Sequence, residues 1–493
     1  SSSPLPRRWS CPSRPGSIGL LLMIALVLSA LRPAPVRAGG LYLMPRGTVP
    51  LARAGAAVAG SRSAHALWYN PAGLARSPNE LLMDANLPVT SNRFTRYYDT
   101  TDENAEGRPV VDAPGLMVPI PTMAVTHDFG LEKLTFGGGL LIPMGSVPDW
   151  PDEVQFEGQT VRAPQRYSIL DAEGSALGMW TVGVGYRATP RLNLGAAVYL
   201  MAGQIASRVA VVACDGVVCT IPESREFEGQ TRVLLGPFLV PTGALGMTYD
   251  FDNARLGLSV NLPYRINGEA TFKVSLPDTL LTRGARVEGD KADMSITFPA
   301  ILRAGLEVDF RDDFRVEFAA TSETWSMQDK AVVKPRDVWV RGLPSGIEFK
   351  AQDTELLRGS RDTIAVAMGA ELDAPWLIGE DYLVIFRAGM MYETSAFTDE
   401  WLSPLTMDAE KIAISLGSTW HIGDHWKLDG VVGHMIMPDR VVRDSKVRMP
   451  VTLRPQLPDE DPETYAPGDN TSIANGDYQV SASYIGGGFR WLF

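Results

Sequence analysis

Residues 301–318 read ILRAGLEVDFRDDFRVEF. Leu302, Ala304, Leu306, Val308 and Phe310 fall on one side of an alternation, and Arg303, Gly305, Glu307 and Asp309 on the other. A strand turns successive side chains to opposite faces, so this spacing predicts one apolar and one charged face. Asp312-Asp313 then reads as a tight turn, and Phe314, Val316 and Phe318 oppose Arg315 and Glu317 in a second strand. In a soluble protein the apolar face would be core and the charged face solvent. The pattern recurs along the chain in runs long enough to cross a membrane, with no helical segments to cover the apolar faces. It therefore predicts a lipid face and a lumen face.

The same periodicity places strands at 80–90, 121–127, 133–142, 174–187, 192–212, 231–249, 254–274, 291–310, 314–333, 362–373, 381–395, 411–423, 425–443 and 474–493. The expected fold is all-β, a fourteen-stranded antiparallel transmembrane barrel over 80–493. The connections alternate in length. Asp128-Phe129-Gly130, Thr189-Pro190, Asp250-Phe251-Asp252-Asn253, Asp312-Asp313 and Gly423-Asp424 are tight, whereas 91–120, 143–173, 213–230, 334–361 and 444–473 are long. Short periplasmic turns and long outer loops have this rhythm, which puts both termini in the periplasm. The last strand ends with Phe489, Trp491 and Phe493 on one face, suited to a membrane interface.

Composition agrees. The 493 residues carry a net charge of −12, and the first 38 hold five arginines and no acid, leaving −17 beyond them. An acidic chain is a poor partner for nucleic acid. No apolar run reaches about 18 residues, so a helical membrane protein is excluded. Arg7, Arg8 and Arg14, an apolar Ile18–Leu31 and the small-residue end Val36-Arg37-Ala38 follow the order of a secretory signal. Residues 1–38 are read as that signal. The apolar part would span only about 21 Å as a helix, short of a roughly 30 Å bilayer core. Cys11 leaves with it. Cys214 and Cys219 lie close in sequence, and in an exported chain a local disulfide is the expected state.

Between signal and first strand lies Gly39–Leu74, GGLYLMPRGTVPLARAGAAVAGSRSAHALWYNPAGL. It has neither a strand nor a helix pattern. A Gly/Ala linker needs no apolar Leu41-Tyr42-Leu43 beginning and no Asn70-Pro71-Ala72-Gly73 stop. The segment 39–79 is expected to be a plug, or hatch, inside the barrel, with Asn70–Gly73 fixing it to the wall.

Nothing in the sequence resembles an enzyme: no Gly-rich nucleotide loop, no H-E-x-x-H, no G-x-S-x-G and no C-x-x-C. No catalytic residue, cofactor or metal is expected. His421 and His425 bridge a predicted hairpin turn, and the acidic loop at Asp459-Glu460-Asp461 reads as solvated. Gly137-Gly138-Gly139 and Pro143 weaken the third strand. They mark either a local bulge or close packing against a neighbour, or else an opening in the wall.

These residues reach a family. The chain resembles the FadL-type long-chain fatty acid transporters of Gram-negative outer membranes. The resemblance rests on Gly55–Gly60 and Asn70-Pro71-Ala72-Gly73-Leu74. It extends through Phe298-Pro299, Trp325-Ser326, Asn475-Gly476-Asp477-Tyr478 and the terminal Phe493. One departure is visible: the family often has an acid seven residues before the Asn, and here Ser63 stands there beside Arg62.

The resemblance implies passive outer-membrane transport of hydrophobic molecules, above all long-chain fatty acids. Apolar outer loops would capture them and pass them to a pocket beside the plug. They would then leave sideways at the third-strand kink, Gly137–Gly139 with Pro143. Leu41, Tyr42 and Leu43 are the expected pocket residues. Arg303 and Arg387 are candidates for a carboxylate head group, or else pair with lumen acids. Expected partners are fatty acids or other apolar molecules, the bilayer and lipopolysaccharide, and the barrel assembly machinery through Phe493, with the protein a monomer. A structural or adhesive barrel is the alternative, and it needs neither plug nor kink.

Overall fold

A computed structural model of the chain describes residues 46–98, 108–114, 119–142, 150–212, 228–343, 345–375, 383–448, 453–456 and 472–493. Residues 1–38, Leu41–Leu43, Pro143, Cys214 and Cys219 lie outside the described residues.

The wall is one closed sheet of fourteen antiparallel strands. They are β1 (Glu80–Arg96), β2 (Val110–Pro114 and Ile120–His127), β3 (Leu134–Leu141), β4 (Ala176–Arg187), β5 (Leu192–Val212) and β6 (Glu228–Asp250). Next come β7 (Ala254–Asn261 and Tyr264–Ser275), β8 (Lys291–Phe298 and Ile301–Arg311), β9 (Phe314–Glu323 and Lys330–Arg336) and β10 (Thr354–Leu357 and Thr363–Ala374). The last four are β11 (Val384–Glu393), β12 (Lys411–Ile422), β13 (Trp426–Ile436 and Arg440–Val442) and β14 (Gly476–Leu492). Each pairs with its sequence neighbour, and β1 closes on β14 from Glu80 opposite Leu492 to Arg96 opposite Gly476. Closure matters because lipid offers no hydrogen bonds to a free strand edge.

The faces are inverted relative to a soluble protein. On β8, Leu302, Leu306 and Phe310 are exposed, while Arg303 and Glu307 are buried. Phe318 is 50% exposed and its neighbour on β9, Glu317, is 0% exposed. The exposed apolar band continues through Trp180, Val182, Val198, Leu245, Ile364, Val366 and Leu416.

The tight connections 128–133, 188–191, 251–253 and 423–425 gather at one rim. The chain end is there too, since Phe493 N–H donates to Asn79 O (3.2 Å). An aromatic belt follows this rim. Trp426 lies 4.9 Å from Phe489 and 6.1 Å from Trp491, ring centre to ring centre. Phe493 lies 5.1 Å from Trp491 and 5.6 Å from His127. Rings of this kind settle at the lipid–water boundary. Beyond the opposite rim, Arg286–Glu288, Trp339–Arg341, Glu348–Ala351 and Leu453–Gln456 form a separate small sheet.

Residues 46–76 pack against the lumen face. They form two short helices, α1 (Thr48–Ala52) and α2 (Ala66–Tyr69), and a 3-10 turn at Pro71–Arg76. Glycines on the wall make the room. A Cβ on Gly195 of β5 would stand 2.1 Å from the Pro71 carbonyl carbon, and one on Gly246 of β6 2.0 Å from Asn70 Oδ1. On Gly257 of β7 it would stand 2.6 Å from Val58 O, and on Gly389 of β11 2.2 Å from the Arg53 carbonyl carbon. Gly183, Gly305, Gly369, Gly417 and Gly488 face the same segment from β4, β8, β10, β12 and β14. Backbone approaches backbone all round the lumen, and only glycine allows it.

Of the third-strand glycines, Gly137 belongs to this ring. Gly137, Gly138 and Gly139 pair on both sides, with Thr126, Val125 and Ala124 of β2 and with Gly183, Val182 and Thr181 of β4. The strand is therefore unbroken at the glycines. A Cβ on Gly137 would meet Leu74 at 3.1 Å and Leu67 at 3.3 Å, and one on Gly139 would meet Met123 O at 2.2 Å. Close packing, the bland alternative for this run, accounts for it.

A leucine at Gly257 tests the ring. The barrel strands are satisfied without the inner segment, so Gly257→Leu is expected to keep the heat-modifiable migration of a folded barrel. Trypsin is expected to cut it at Arg53, Arg62 or Arg76, which stay protected in the parent protein.

Candidate functional site

Wall carboxylates hold the inner segment by its own backbone. Glu317 of β9 accepts from Val58 N (2.6 Å), Ala59 N (2.8 Å) and Gly60 N (3.0 Å). Arg53 stands between Glu317 (3.0 Å) and Glu307 (3.1 Å), all three almost fully buried. Burial alone would depress the Arg53 guanidinium. Glu317 and then Glu307 outweigh it and hold it above its ordinary range, so it stays charged. Arg62 adds a second bond to Glu307 at 2.6 Å, though burial still leaves it below its ordinary value.

The other side is held in the same way. Thr48 N donates to Asp84 Oδ2 (2.9 Å), which also meets His65 Nε2 (2.8 Å), and Ala64 N donates to Glu80 Oε1 (2.8 Å). Ser63, where an acid was expected, bonds His65 Nδ1 at 3.0 Å instead. The acids that tether the segment stand on the wall, at Glu80, Asp84, Glu307 and Glu317.

Asn70 is fully buried at the far end of the segment. Its amide nitrogen donates to Val58 O (2.9 Å) and to Met247 O of β6 (3.1 Å), and its Oδ1 accepts from Ala72 N (3.1 Å). One side chain thus joins segment to segment, segment to wall, and caps the following turn. Pro71 has no N–H to orphan at that turn. Ala72 is fully buried, and a Cβ on Gly73 would meet Ser61 O at 2.2 Å.

A cavity of about 80 Å³ lies beside the segment, lined among others by Arg46, Trp68, Tyr69, Arg303, Glu323, Trp325, Glu393, Asp408 and Lys411. Arg46 sits 3.9 Å over the Trp68 ring, and its backbone N–H donates to Tyr69 Oη at 2.6 Å. Burial pushes the Tyr69 phenol up to about 12, so it stays neutral. Three cations and three carboxylates line the space, which carries no formal charge. It is smaller than the roughly 150 Å³ cavity known to admit benzene, so even a single ring requires it to widen.

Arg303 borders this cavity. Its Nη1 donates to Asn261 Oδ1 (2.9 Å) and Trp68 O (3.2 Å). Arg387 does not border it. Its Nε donates to Glu371 at 2.5 Å and its Nη1 to Thr419 at 2.5 Å, in a wall network with Arg315 and Asp373. The sequence reading set Arg303 and Arg387 side by side and missed Arg46, Arg53, Trp68, Glu317 and Lys411. Alternation marked Glu317 as lumen-facing but could not show what it faces.

The family model for outer membrane protein transport proteins (OMPP1/FadL/TodX) matches residues 34–457. The chain belongs to that family. Its members are passive transporters of apolar molecules in the outer membrane of Gram-negative bacteria, not enzymes. Among solved structures, a FadL homologue from Pseudomonas aeruginosa is similar at 15% identity. It covers 92% of this chain and 98% of its own, with a TM-score of 0.64. The toluene transporter TodX from Pseudomonas putida is similar at 14% identity, with coverage of 92% and 99% and a TM-score of 0.62. The toluene transporter TbuX from Ralstonia pickettii is similar at 16% identity, with coverage of 92% and 99% and a TM-score of 0.55. At these identities the likeness is one of fold. A comparison with curated protein sequences returned no match.

Removing one charge from a buried network leaves its partner uncompensated, which costs roughly 3 kcal/mol or more. Glu317→Gln is expected to speed amide exchange at Val58–Gly60 by about a hundredfold on that scale while exchange in the wall strands is unchanged. Equal protection of both regions in the variant and the parent would refute the clamp.

Proposed function

We propose that this protein carries hydrophobic molecules passively across the outer membrane, long-chain fatty acids being the main class, with residues 39–79 as a plug beside which they pass. The observation that carries this reading is the cavity against the inner segment, in a barrel otherwise blocked by glycine-matched backbone packing. A purely structural or adhesive barrel has no use for such a space. An acyl chain gains about 0.8 kcal/mol per CH₂ on leaving water, so it favours a dry route over a water-filled pore.

Arg303 is the head-group candidate, because it borders the cavity and presents a planar guanidinium. Leu41–Leu43 would complete the pocket from the segment's start. A monoaromatic substrate is the second reading. It is favoured by the small cavity, its balanced charge and its Trp68, Tyr69 and Trp325 lining. The toluene transporters of like fold agree with it. In both readings the molecule leaves sideways into the bilayer, both termini are periplasmic, and the monomer is placed by the assembly machinery through Phe493.

Cells bearing the protein are expected to take up labelled oleate, or toluene, faster than cells without it, and a form lacking 39–48 is expected to lose that gain. Arg303→Ala is expected to slow oleate about tenfold, the loss of one charged contact of roughly 1.5 kcal/mol, and to leave toluene unchanged. If neither compound moves faster with the intact protein, the transport reading is wrong.

A further inference from the structure

We infer that the wall opens sideways between β6 and β7, at a seam backed by an apolar cavity, and that this seam is a lateral portal for apolar ligands. The inference rests on the transport reading for its ligand, but the seam itself is a property of the wall.

The ladder between these strands is interrupted. From the tight turn upward, β6 and β7 pair regularly as far as Ala244 opposite Asn261, and pairing resumes only at Leu235 opposite Ala270. Gly236–Gly243 and Leu262–Glu269 carry no ladder pair with each other. At the lower corner Leu262 N donates to Gly243 O (2.8 Å) and Thr242 Oγ1 to Leu262 O (2.9 Å). The sequence explains the gap. Leu262 meets Gly243, so alternation turns the amide edges of residues 241 and 237 toward β7 as well, and both are proline. Pro263 stands across from them. Three positions that would supply donors to the ladder have none.

Two other breaks in the described wall are bridged. Where β9 is interrupted, Thr324 N donates to Ala300 O (3.0 Å) and Ser326 N to Asp362 Oδ1 (2.9 Å). Where β10 is interrupted, Arg358 N donates to Asp329 O (2.7 Å).

What lies on either side of the seam suits an apolar passenger. Outside, Leu239 and Leu262 of the seam are exposed, as are Leu245 and Leu258 of the paired stretch just below it, in the lipid-facing band. Inside lies a small cavity of about 10 Å³, lined by Trp68, Met179, Tyr199, Met201, Tyr264 and Ile301, with Thr242 and Leu262 of the seam itself. Two methionines in such a lining repack at low cost. Trp68 borders this space and the larger cavity alike, with its ring centre 6.1 Å from that of Tyr199. A rotation of Trp68 joins the two. The route then runs from the large cavity, past Trp68, between Met201 and Tyr264, and out where the ladder between β6 and β7 is interrupted. A chain or ring following it meets no charged group after Arg303.

Two measurements test the seam. Hydrogen exchange on the parent protein in detergent is expected to be fast at Leu239, Arg265, Asn267 and Glu269, whose amides face the seam, and slow at Val182 and Val198, which pair at comparable height between β4 and β5. Slow exchange at all of them overturns the seam. In a background with Cys214→Ser and Cys219→Ser, a reducible bismaleimide then bridges Leu239→Cys to Arg265→Cys across the seam. Uptake of labelled toluene or oleate into vesicles is expected to fall to the protein-free rate on bridging and to return on reduction. Bridging Val182→Cys to Val198→Cys is expected to change nothing. Unchanged uptake in the seam-bridged protein, or loss only when Val125→Cys is bridged to Gly138→Cys at β2 and β3, overturns the portal. Fast exchange with no uptake by the unbridged protein would instead remove the transport reading and leave the seam.

Discussion

Arg53, held between Glu307 and Glu317, is the interaction on which the interior depends. A charge in a lumen sealed from bulk water is costly unless it is paired and hydrogen-bonded. Here the pairing does double service. Two carboxylates neutralise one guanidinium, and the same Glu317 takes the N–H groups of Val58, Ala59 and Gly60, which no helix or strand satisfies. An irregular segment inside a barrel has this problem throughout its length, because buried backbone donors need acceptors. The wall supplies them with Glu80 and Asp84 on β1 and Glu317 on β9. The charged lumen face is thus a set of acceptors for an otherwise unstructured chain.

The glycine ring answers the steric half of the same problem. Acceptors can reach the segment's backbone only if the segment lies close to the wall, and any Cβ at Gly195, Gly246, Gly257 or Gly389 would hold it off. Asn70 works at the junction of both requirements, donating to the wall carbonyl of Met247 while Gly246 leaves space for its side chain. The result is a segment fixed at its Val58–Gly60 and Asn70 positions and bordered by a cavity near Arg46 and Trp68.

The wall shows a parallel division. Most of it is a complete ladder, as lipid demands, since an unsatisfied backbone group has no water to turn to. Prolines at 237, 241 and 263 loosen one stretch without leaving donors unsatisfied at those positions, because a proline has none to lose. The same residue type that weakens a strand is the one that lets the weakness sit in a membrane.

Much of this was legible in the sequence. Period-two alternation is local, so the order of strands, the lipid-facing Leu302, Leu306 and Phe318 and the lumen-facing Arg303, Glu307 and Glu317 follow from residues a few positions apart. The tight turns at Asp250–Asn253 and Asp312-Asp313 are equally local, and the Asn70–Leu74 motif carried the family. What the sequence could not determine is which lumen group meets which. Arg53 and Glu317 are 264 residues apart, and Arg303 and Arg387 look alike until one borders a cavity and the other is bound to Glu371. Gly137–Gly139 read as a break because glycine weakens an isolated strand. Only the packed structure shows Leu67 and Leu74 filling the space a side chain at Gly137 would occupy. Alternation determines the face a residue takes, but what stands across the lumen from it depends on closing the barrel around the segment.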